Sequence, residues 1–450
     1  MKIHPHDFLL QELFSPLDDR DEVLDHVIGC AECQARVKTL LRIRPAQLAD
    51  KAAQLELWLR DPVQYDKALD RSALKGRSLS ALYEQERSVA SGLLVELLGH
   101  PAERRQIMVR HNPRFQTWGL FDLLLKRSSE QNFEDAIQAE ILARLALEIP
   151  EHLNASIHGP ERVADMRARA WAHVGNALRV KADLHEAEDA FQKAFAHLQR
   201  GTREPMERAV LLDLRASLLR AQRRFGEALH LLRRAIAIFR NLGERHRAGR
   251  ALVSMSTVQH MAGEPERAIP LLYEALDLID PAREPQLMLF AWHNLIDDLA
   301  EAGQFLEAHK LLLKARPLYQ RFQNAWTQNR LRWVEGRIAR GLGHTGQAEA
   351  LFLAARTGFL AEDAAYDTAL VSLDLSSLYA EQRRLPELKR LAEEMLPIFQ
   401  AQDVHREALA ALQLFQEAAR QQELTVEKAL EVAAYLREAR GEPGLRFGWR

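Results

Sequence analysis

The sequence repeats one short pattern along its second half at a nearly constant interval. In the first five copies a small residue is followed four positions later by Phe or Leu and seven positions later by Ala, as in Ala187, Phe191 and Ala194, and the pattern weakens in the last two. The anchor positions recur at nearly equal steps, and they are Ala187, Ala228, Ala268, Ala308, Ala348, Leu388 and Ala429. Such a period predicts an array of stacked structural units, which grows by adding units rather than by enlarging one core.

The spacing inside each copy indicates what one unit contains. Positions four and seven residues apart lie on one face of an α-helix. A second apolar face precedes the pattern by sixteen residues, beginning at Trp171 in the first unit and at Trp292 in the fourth. Only 21 Gly and 17 Pro occur in 450 residues, which favours helices throughout. We therefore predict an all-α chain whose body is a right-handed α-solenoid of about seven helix-turn-helix units of 40–41 residues.

The pattern resembles the tetratricopeptide repeat (TPR), in a long form with about six residues beyond the usual 34. The resemblance covers Arg167 to about Arg440 and weakens in the last two units. It implies a TPR-like solenoid at residues 166–440, followed by a C-terminal tail at residues 441–450. Residues 46–165 are helical but not repetitive, and we interpret them as an adaptor with an irregular first repeat.

The chain has only two cysteines, Cys30 and Cys33, and they follow His26 in the spacing His-x3-Cys-x2-Cys. Two thiolates and one imidazole at a helical corner suit structural zinc, and a nitrogen of His4 or His6 would complete the tetrahedron. We predict one structural Zn²⁺ per chain, with His4 preferred over His6 as the fourth ligand. Ordinary packing and a redox Cys-x-x-Cys pair are the competing interpretations, and the redox pair lacks its usual β-strand context.

These residues, with His-Pro at positions 4 and 5, resemble the zinc-binding anti-sigma factor domain of bacteria. The resemblance covers about residues 4–44 and predicts a small zinc-binding helical head at residues 1–45. In that family a His or Cys of the first helix joins a later His, Cys and Cys as metal ligands, which carries over directly to His26, Cys30 and Cys33. The resemblance also implies that the head holds a sigma factor of the extracytoplasmic-function type.

In TPR arrays the first helix of each unit lines a concave groove, and the anchors place a largely basic set of side chains there. Asp297 and Glu301 are the acidic exceptions. Guanidinium groups bind carboxylates bidentately, so this groove is predicted to capture an acidic helix or a C-terminal carboxylate, and a merely solvated face is the alternative. The predicted groove residues are Arg169, Asn176, Arg179, Arg220, Arg250, His260, His293, Arg330, Trp333, Arg337 and Arg340.

Other classes of function find little support in the sequence. No phosphate-binding loop, dinucleotide fingerprint, HExxH or GxSxG motif occurs, so we predict that the chain is not an enzyme. The net charge is −2, and residues 1–33 carry eight acidic against two basic side chains, so direct nucleic-acid binding is not expected. No apolar run approaches the roughly 18 residues of a membrane span and no signal peptide is evident, which predicts a cytoplasmic protein without membrane contact.

These observations predict a non-enzymatic regulator of the anti-sigma type. Its zinc head would hold a protein partner, and its TPR body would serve as a sensor or scaffold. The alternative is a TPR scaffold or adaptor subunit of a larger protease or signalling complex, in which the zinc head is purely structural.

Overall fold

A computed structural model describes residues 62–132 and 135–400, and all of the regular structure in these residues is helical. No helix within the two ranges is long and apolar enough to cross a membrane. The N-terminal described helices are α1 (Pro62–Leu98), α2 (Ala102–His111), α3 (Trp118–Gln131), α4 (Ala136–His152) and the short α5 (Ala155–His158), with a 3-10 turn at Pro113–Phe115.

The remaining helices alternate as the first and second helices of successive repeats. The first helices are α6 (Pro160–Val180), α8 (Pro205–Ala221), α10 (Arg245–Met261), α12 (Pro285–Glu301), α14 (Ala325–Gly341) and α16 (Ala365–Glu381). The second helices are α7 (Leu184–Leu198), α9 (Phe225–Asn241), α11 (Pro265–Leu278), α13 (Phe305–Tyr319), α15 (Thr345–Ala361) and α17 (Leu385–Gln400). The predicted helix pairs are therefore present in six of the seven units, and the seventh, at Ala429, lies outside the described residues.

The chain divides into two compact units. The first comprises residues up to Gln222 together with Ala237–Gly243, and the second comprises Arg223–Ile236 and the residues from Glu244 onward. The division falls within α9.

In the first unit the helices preceding the repeats pack directly onto them. Helix α1 contacts α3, α3 contacts α4, and α4 contacts α6. Large apolar side chains fill the space between these helices, and Phe115, Phe121, Leu124 and Ile149 are fully buried there. Helices α3 and α4 are the two helices of the predicted irregular first repeat.

Within a repeat, the two helices fit together because small residues of the first helix face large residues of the second. A Cβ added at Gly175 would lie 2.9 Å from the ring of Phe191, and one added at Gly336 would lie 2.6 Å from the ring of Phe352. The sequence anchors of α7, α9, α11, α13, α15 and α17 all have 0% exposure, and they are Ala187, Ala228, Ala268, Ala308, Ala348 and Leu388. Close approach of the two backbones thus explains why the anchor positions are small in all but the last of these repeats.

The turn between the two helices of a repeat has the same conformation along the array. A backbone N–H just beyond the first helix donates to a carbonyl five positions earlier, as Glu264 does to Gln259 at 2.9 Å. This is the Schellman arrangement, and it requires a left-handed residue in the turn. That residue is Ala182, Arg223, Gly263, Gly303, Gly343 and Arg383 in successive repeats, with φ between 57° and 82°.

Candidate functional site

The first helices of the second unit form one continuous layer. Helix α10 packs on α12, α12 on α14, and α14 on α16, while the second helices lie behind them. We call the side of this layer turned away from the second helices the first-helix face of the second unit. Side chains one repeat apart in the sequence meet across it, because each first helix packs on the first helix of the next repeat.

Most basic side chains of this face are paired with an acidic residue in the next first helix or directly before it. The acid lies roughly one repeat further along the chain in every case. The pairs are His246–Glu284 at 3.1 Å, Arg250–Glu284 at 3.5 Å, His260–Asp298 at 2.6 Å, Arg337–Asp374 at 2.7 Å, and Arg340–Glu381. The predicted basic groove is therefore largely neutralised within the protein itself.

Arg337 holds two partly buried carboxylates at once. Its Nη1 lies 2.8 Å from Oδ1 of Asp297 on α12, and its Nε lies 2.7 Å from Oδ2 of Asp374 on α16. The indole Nε1 of Trp333 donates to the same Asp374 oxygen at 2.6 Å, and the guanidinium stacks over the Trp333 ring at 4.7 Å. Burial alone would raise the pKa of Asp297, but the charge of Arg337 holds that pKa well below its ordinary value.

A second pair lies beside the group formed by Arg337, Asp297, Asp374 and Trp333, which we call the clamp. Nδ1 of His260 lies 2.6 Å from Oδ1 of Asp298. Burial raises the pKa of Asp298 to about 6, although the hydrogen bond with His260 acts in the opposite direction. Burial also lowers the pKa of His260, but the Asp298 hydrogen bond and the charges of Asp297 and Glu301 outweigh it, so that pKa is raised. The second oxygen of Asp298, Oδ2, is buried without a hydrogen-bond partner in the structure.

Asp298 lines a cavity of about 250 Å³ that opens on the first-helix face between α10, α12 and α14. His260 contributes from α10, Phe290 and Asn294 from α12, and Arg330 from α14. Within the described residues, the side chains of Asn294 and Arg330 make no hydrogen bond or ion pair. The cavity thus combines a guanidinium and an amide available to a ligand with a buried carboxylate oxygen that lacks a donor.

The predicted groove residues differ in their surroundings. His260 and Arg330 line the cavity, whereas Trp333 and Arg337 belong to the clamp beside it. His293 is instead buried between the helices, where its Nδ1 lies 2.7 Å from the hydroxyl of Tyr319. Burial lowers its pKa well below the ordinary value, so the ring is neutral and structural. Arg250 and Arg340 lie on the face in the ion pairs given above.

The other predicted groove residues lie in the first unit, on α6 and α8. Arg169 is paired with Glu207, whose Oε2 lies 3.0 Å from its Nε, and with Asp122. Asn176 Oδ1 accepts a hydrogen bond from Nε of Arg179 at 3.0 Å. Arg220 is on α8, one repeat beyond Arg179.

Sequence reasoning missed the acidic partners. A count of basic positions along one helix face does not identify Asp298, Asp374 and Glu284, because the first two lie on the following first helix and Glu284 lies directly before it. Several of these pairs share a sequence separation of 37 or 38 residues, slightly shorter than one repeat, and this separation is the signal that could identify them. The predicted zinc ligands His4, His6, His26, Cys30 and Cys33 lie outside the described residues, so the zinc site stays a prediction.

The relationship of this chain to known proteins agrees with the helix geometry. Residues 207–280 match the tetratricopeptide repeat family. The chain carries a TPR array. This confirms the prediction made from the repeat period. No curated protein matches the sequence.

Solved structures of similar fold extend over much more of the chain. A Rap protein complexed with competence and sporulation factor is 13% identical, covers 71% of this chain and 87% of its own, and has a TM-score of 0.53. Aspartyl phosphate phosphatase F from Bacillus subtilis is 12% identical, covers 90% of this chain and 96% of its own, and has a TM-score of 0.50. The apo form of RapI is 12% identical, covers 70% and 87%, and has the same TM-score of 0.50. At this level of identity the similarity concerns the fold alone.

Proposed function

We propose that this chain is a non-enzymatic regulatory protein that binds a segment of a protein partner on the first-helix face of its second unit. The observation that carries the proposal is the cavity between α10, α12 and α14. It brings together polar groups of three successive repeats, among which Arg330, Asn294 and Asp298 Oδ2 have hydrogen-bonding capacity left over. Buried polar atoms such as Asp298 Oδ2 are normally satisfied, so its position in an open cavity beside Arg330 and Asn294 favours a bound ligand.

The chemistry of the cavity suits a polypeptide segment with an acidic group. Asn294 offers an amide that both donates and accepts, which matches a peptide backbone. Arg330 offers a guanidinium that can bind a carboxylate bidentately. Because Arg337 is already held by Asp297 and Asp374, the acidic group is expected to meet Arg330 rather than the clamp.

A solved structure of the same fold supports the proposal in general terms. The Rap protein was crystallised as a complex with competence and sporulation factor, so a related helical array accommodates a partner. The identity of 13% transfers no residue from that complex to this chain.

The finer part of the proposal concerns the head. We propose that residues 1–45 bind one structural Zn²⁺ through His26, Cys30, Cys33 and one of the two upstream histidines, and that this head holds a sigma factor. The sequence motif His-x3-Cys-x2-Cys supports this assignment. Purified protein should contain about one zinc per chain, and Cys30→Ser should remove it, whereas a metal-free reduced sample would contradict the zinc site.

The cavity is tested by comparing partners recovered from cells with the full-length protein and two charge-reversal variants. Arg330→Glu should abolish recovery of the partner, because it places a negative charge where the acidic group binds. Arg321→Glu makes the same charge change at an exposed position just beyond the end of α13 and should leave recovery unchanged. Equal recovery by both variants would exclude the cavity. A sigma factor among the recovered proteins would support the anti-sigma role, and a protease subunit would support the adaptor alternative.

A further inference from the structure

Two arginines of the first unit lie in equivalent positions on neighbouring first helices. Arg179 is in the last turn of α6 and Arg220 is in the last turn of α8, and these two helices pack together. The two arginines are one repeat apart in the sequence, so their side chains occupy the same register. Nε of Arg179 donates to Asn176 Oδ1 at 3.0 Å, which fixes the orientation of that guanidinium.

Neither arginine has the acidic partner that the array supplies elsewhere. In the same unit Arg169 of α6 is paired with Glu207 of α8. Ser217 of α8 stands at the same separation from Arg179, and its hydroxyl cannot neutralise a charge. Within the described part of the chain, neither Arg179 nor Arg220 forms an ion pair, although Asp213 exerts a weaker attraction on Arg220.

The pKa values of both arginines are lowered. Burial lowers the pKa of Arg179 to about 10, and the positive charge of Arg220 acts in the same direction. Burial likewise lowers the pKa of Arg220. Two partly buried like charges that form no ion pair within the described residues oppose folding, and an anion bound between them would reduce that opposition.

We propose that Arg179 and Arg220 form an oxyanion-binding site, with Asn176 as the residue that positions Arg179. Two guanidinium groups match either a carboxylate of an acidic peptide or a phosphate. The planar carboxylate and the tetrahedral phosphate both present at least two acceptor oxygens to the forked N–H donors. The site lies in the first unit and does not rest on the proposed function of the second-unit cavity.

The test uses the full-length protein and two probes, a fluorescein-labelled hexaglutamate peptide and inorganic phosphate. The variant is Arg179→Gln with Arg220→Gln. The matched control is Arg104→Gln with Arg200→Gln, which removes the same charge at two exposed positions of the first unit. Binding is measured at about 0.01 M ionic strength, where the Debye length is about 30 Å and screening is weak.

Wild-type protein and the control should bind one or both probes, and the double variant should bind at least about tenfold more weakly. Binding of hexaglutamate alone would identify a carboxylate site, and binding of phosphate alone would identify a phosphate site. Wild-type protein that binds neither probe, or a double variant that binds as well as wild type, would overturn the proposal.

Thermal unfolding without probe separates binding from a structural role. Because the arginines repel each other, the double variant should unfold at the same temperature as wild type or higher. A lower midpoint, seen also in the single variant Arg220→Gln, would show that the arginines stabilise the fold instead and would overturn the proposal.

Discussion

The same repeat treats partly buried positive charge differently at Arg337 in the second unit and at the pair Arg179 and Arg220 in the first unit. In the second unit, Arg337 is enclosed by Asp297 and Asp374. In the first unit, Arg179 and Arg220 occupy one register, and neither forms an ion pair within the residues that the structure describes. The packing of successive first helices is common to both units. The residue at a single position on the next first helix decides whether the arginine forms an ion pair. An acid there makes a structural contact, and a neutral residue leaves a charge available for binding.

The largest effect that would sharpen this comparison is expected at Arg337. Arg337→Met should lower the free energy of unfolding by about 3–5 kcal/mol, because it removes the ion-pair partner of two partly buried carboxylates. Arg340→Met, one turn away on the same helix, removes an ion pair with the exposed Glu381 and should cost only about 0–1 kcal/mol. Urea unfolding of both variants measures the difference. Similar losses for the two would mean that the clamp is no different from a surface pair.

Substitutions that disturb helix packing should lower stability by similar amounts in both units, unlike substitutions that remove a charge. Gly175→Ala and Gly336→Ala each force a Cβ to within 3.0 Å of a phenylalanine ring and should cost about 1–3 kcal/mol. Replacing the facing Phe191 or Phe352 by Leu, the residue found at this position in three of the other repeats, should recover much of the loss.

The control for these glycine variants is Gly346→Ala, where an added Cβ meets nothing within 4 Å. It should cost no stability and can add up to about 1 kcal/mol through helix propensity. Circular dichroism on heating compares all of the variants. A loss confined to one unit would show that packing as well as charge distinguishes the two.

The His260–Asp298 pair predicts a pH dependence that belongs to the second unit. The folded-state pKa of Asp298 is raised from 3.8 to about 6, so the folded chain holds a proton that the unfolded chain releases. This contribution stabilises the fold below about pH 4 and is lost as the pH rises through about 6. The raised pKa of His260 acts in the same direction at higher pH.

Asp298→Asn cannot ionise, so wild type should lose about 2–3 kcal/mol relative to this variant between pH 4 and pH 7. Parallel stability curves for the two proteins would contradict the raised pKa of Asp298. Unfolding in urea at four pH values is sufficient to compare them.

The smallest expected effect concerns the turns. Ala182 has a φ of 65°, and Ala182→Gly should stabilise the first unit by about 0.5–1 kcal/mol, because glycine adopts this conformation without strain. Gly303→Ala should cost about 1 kcal/mol in the second unit, although its Cβ would meet no neighbour. Thermal midpoints of the two variants should move in opposite directions, and a shift of both to lower temperature would refute strain as the cause.

The sequence predicts the architecture more fully than the site. The anchors from Ala187 to Leu388 identify the buried face of six second helices, because helix packing imposes a local pattern of small and large residues. The sequence pattern also predicts the basic face, but it does not predict that acidic residues of neighbouring repeats neutralise most of its charge. Asp298 and Asp374 act on residues a full repeat away, and only the packing of successive helices brings them together. The cavity at Arg330 depends on the same packing.

The forward reach of the ion pairs in the second unit fixes the order of its repeats. Helix α10 presents His260 to an acid of α12, and α14 presents Arg337 to an acid of α16. The small and large residues that join two helices are nearly interchangeable between repeats, whereas these charges are not. Exchanging two internal repeats would keep every helix pair intact and yet bring mismatched charges together. The ion pairs between neighbouring repeats therefore favour one order of the repeats over any other.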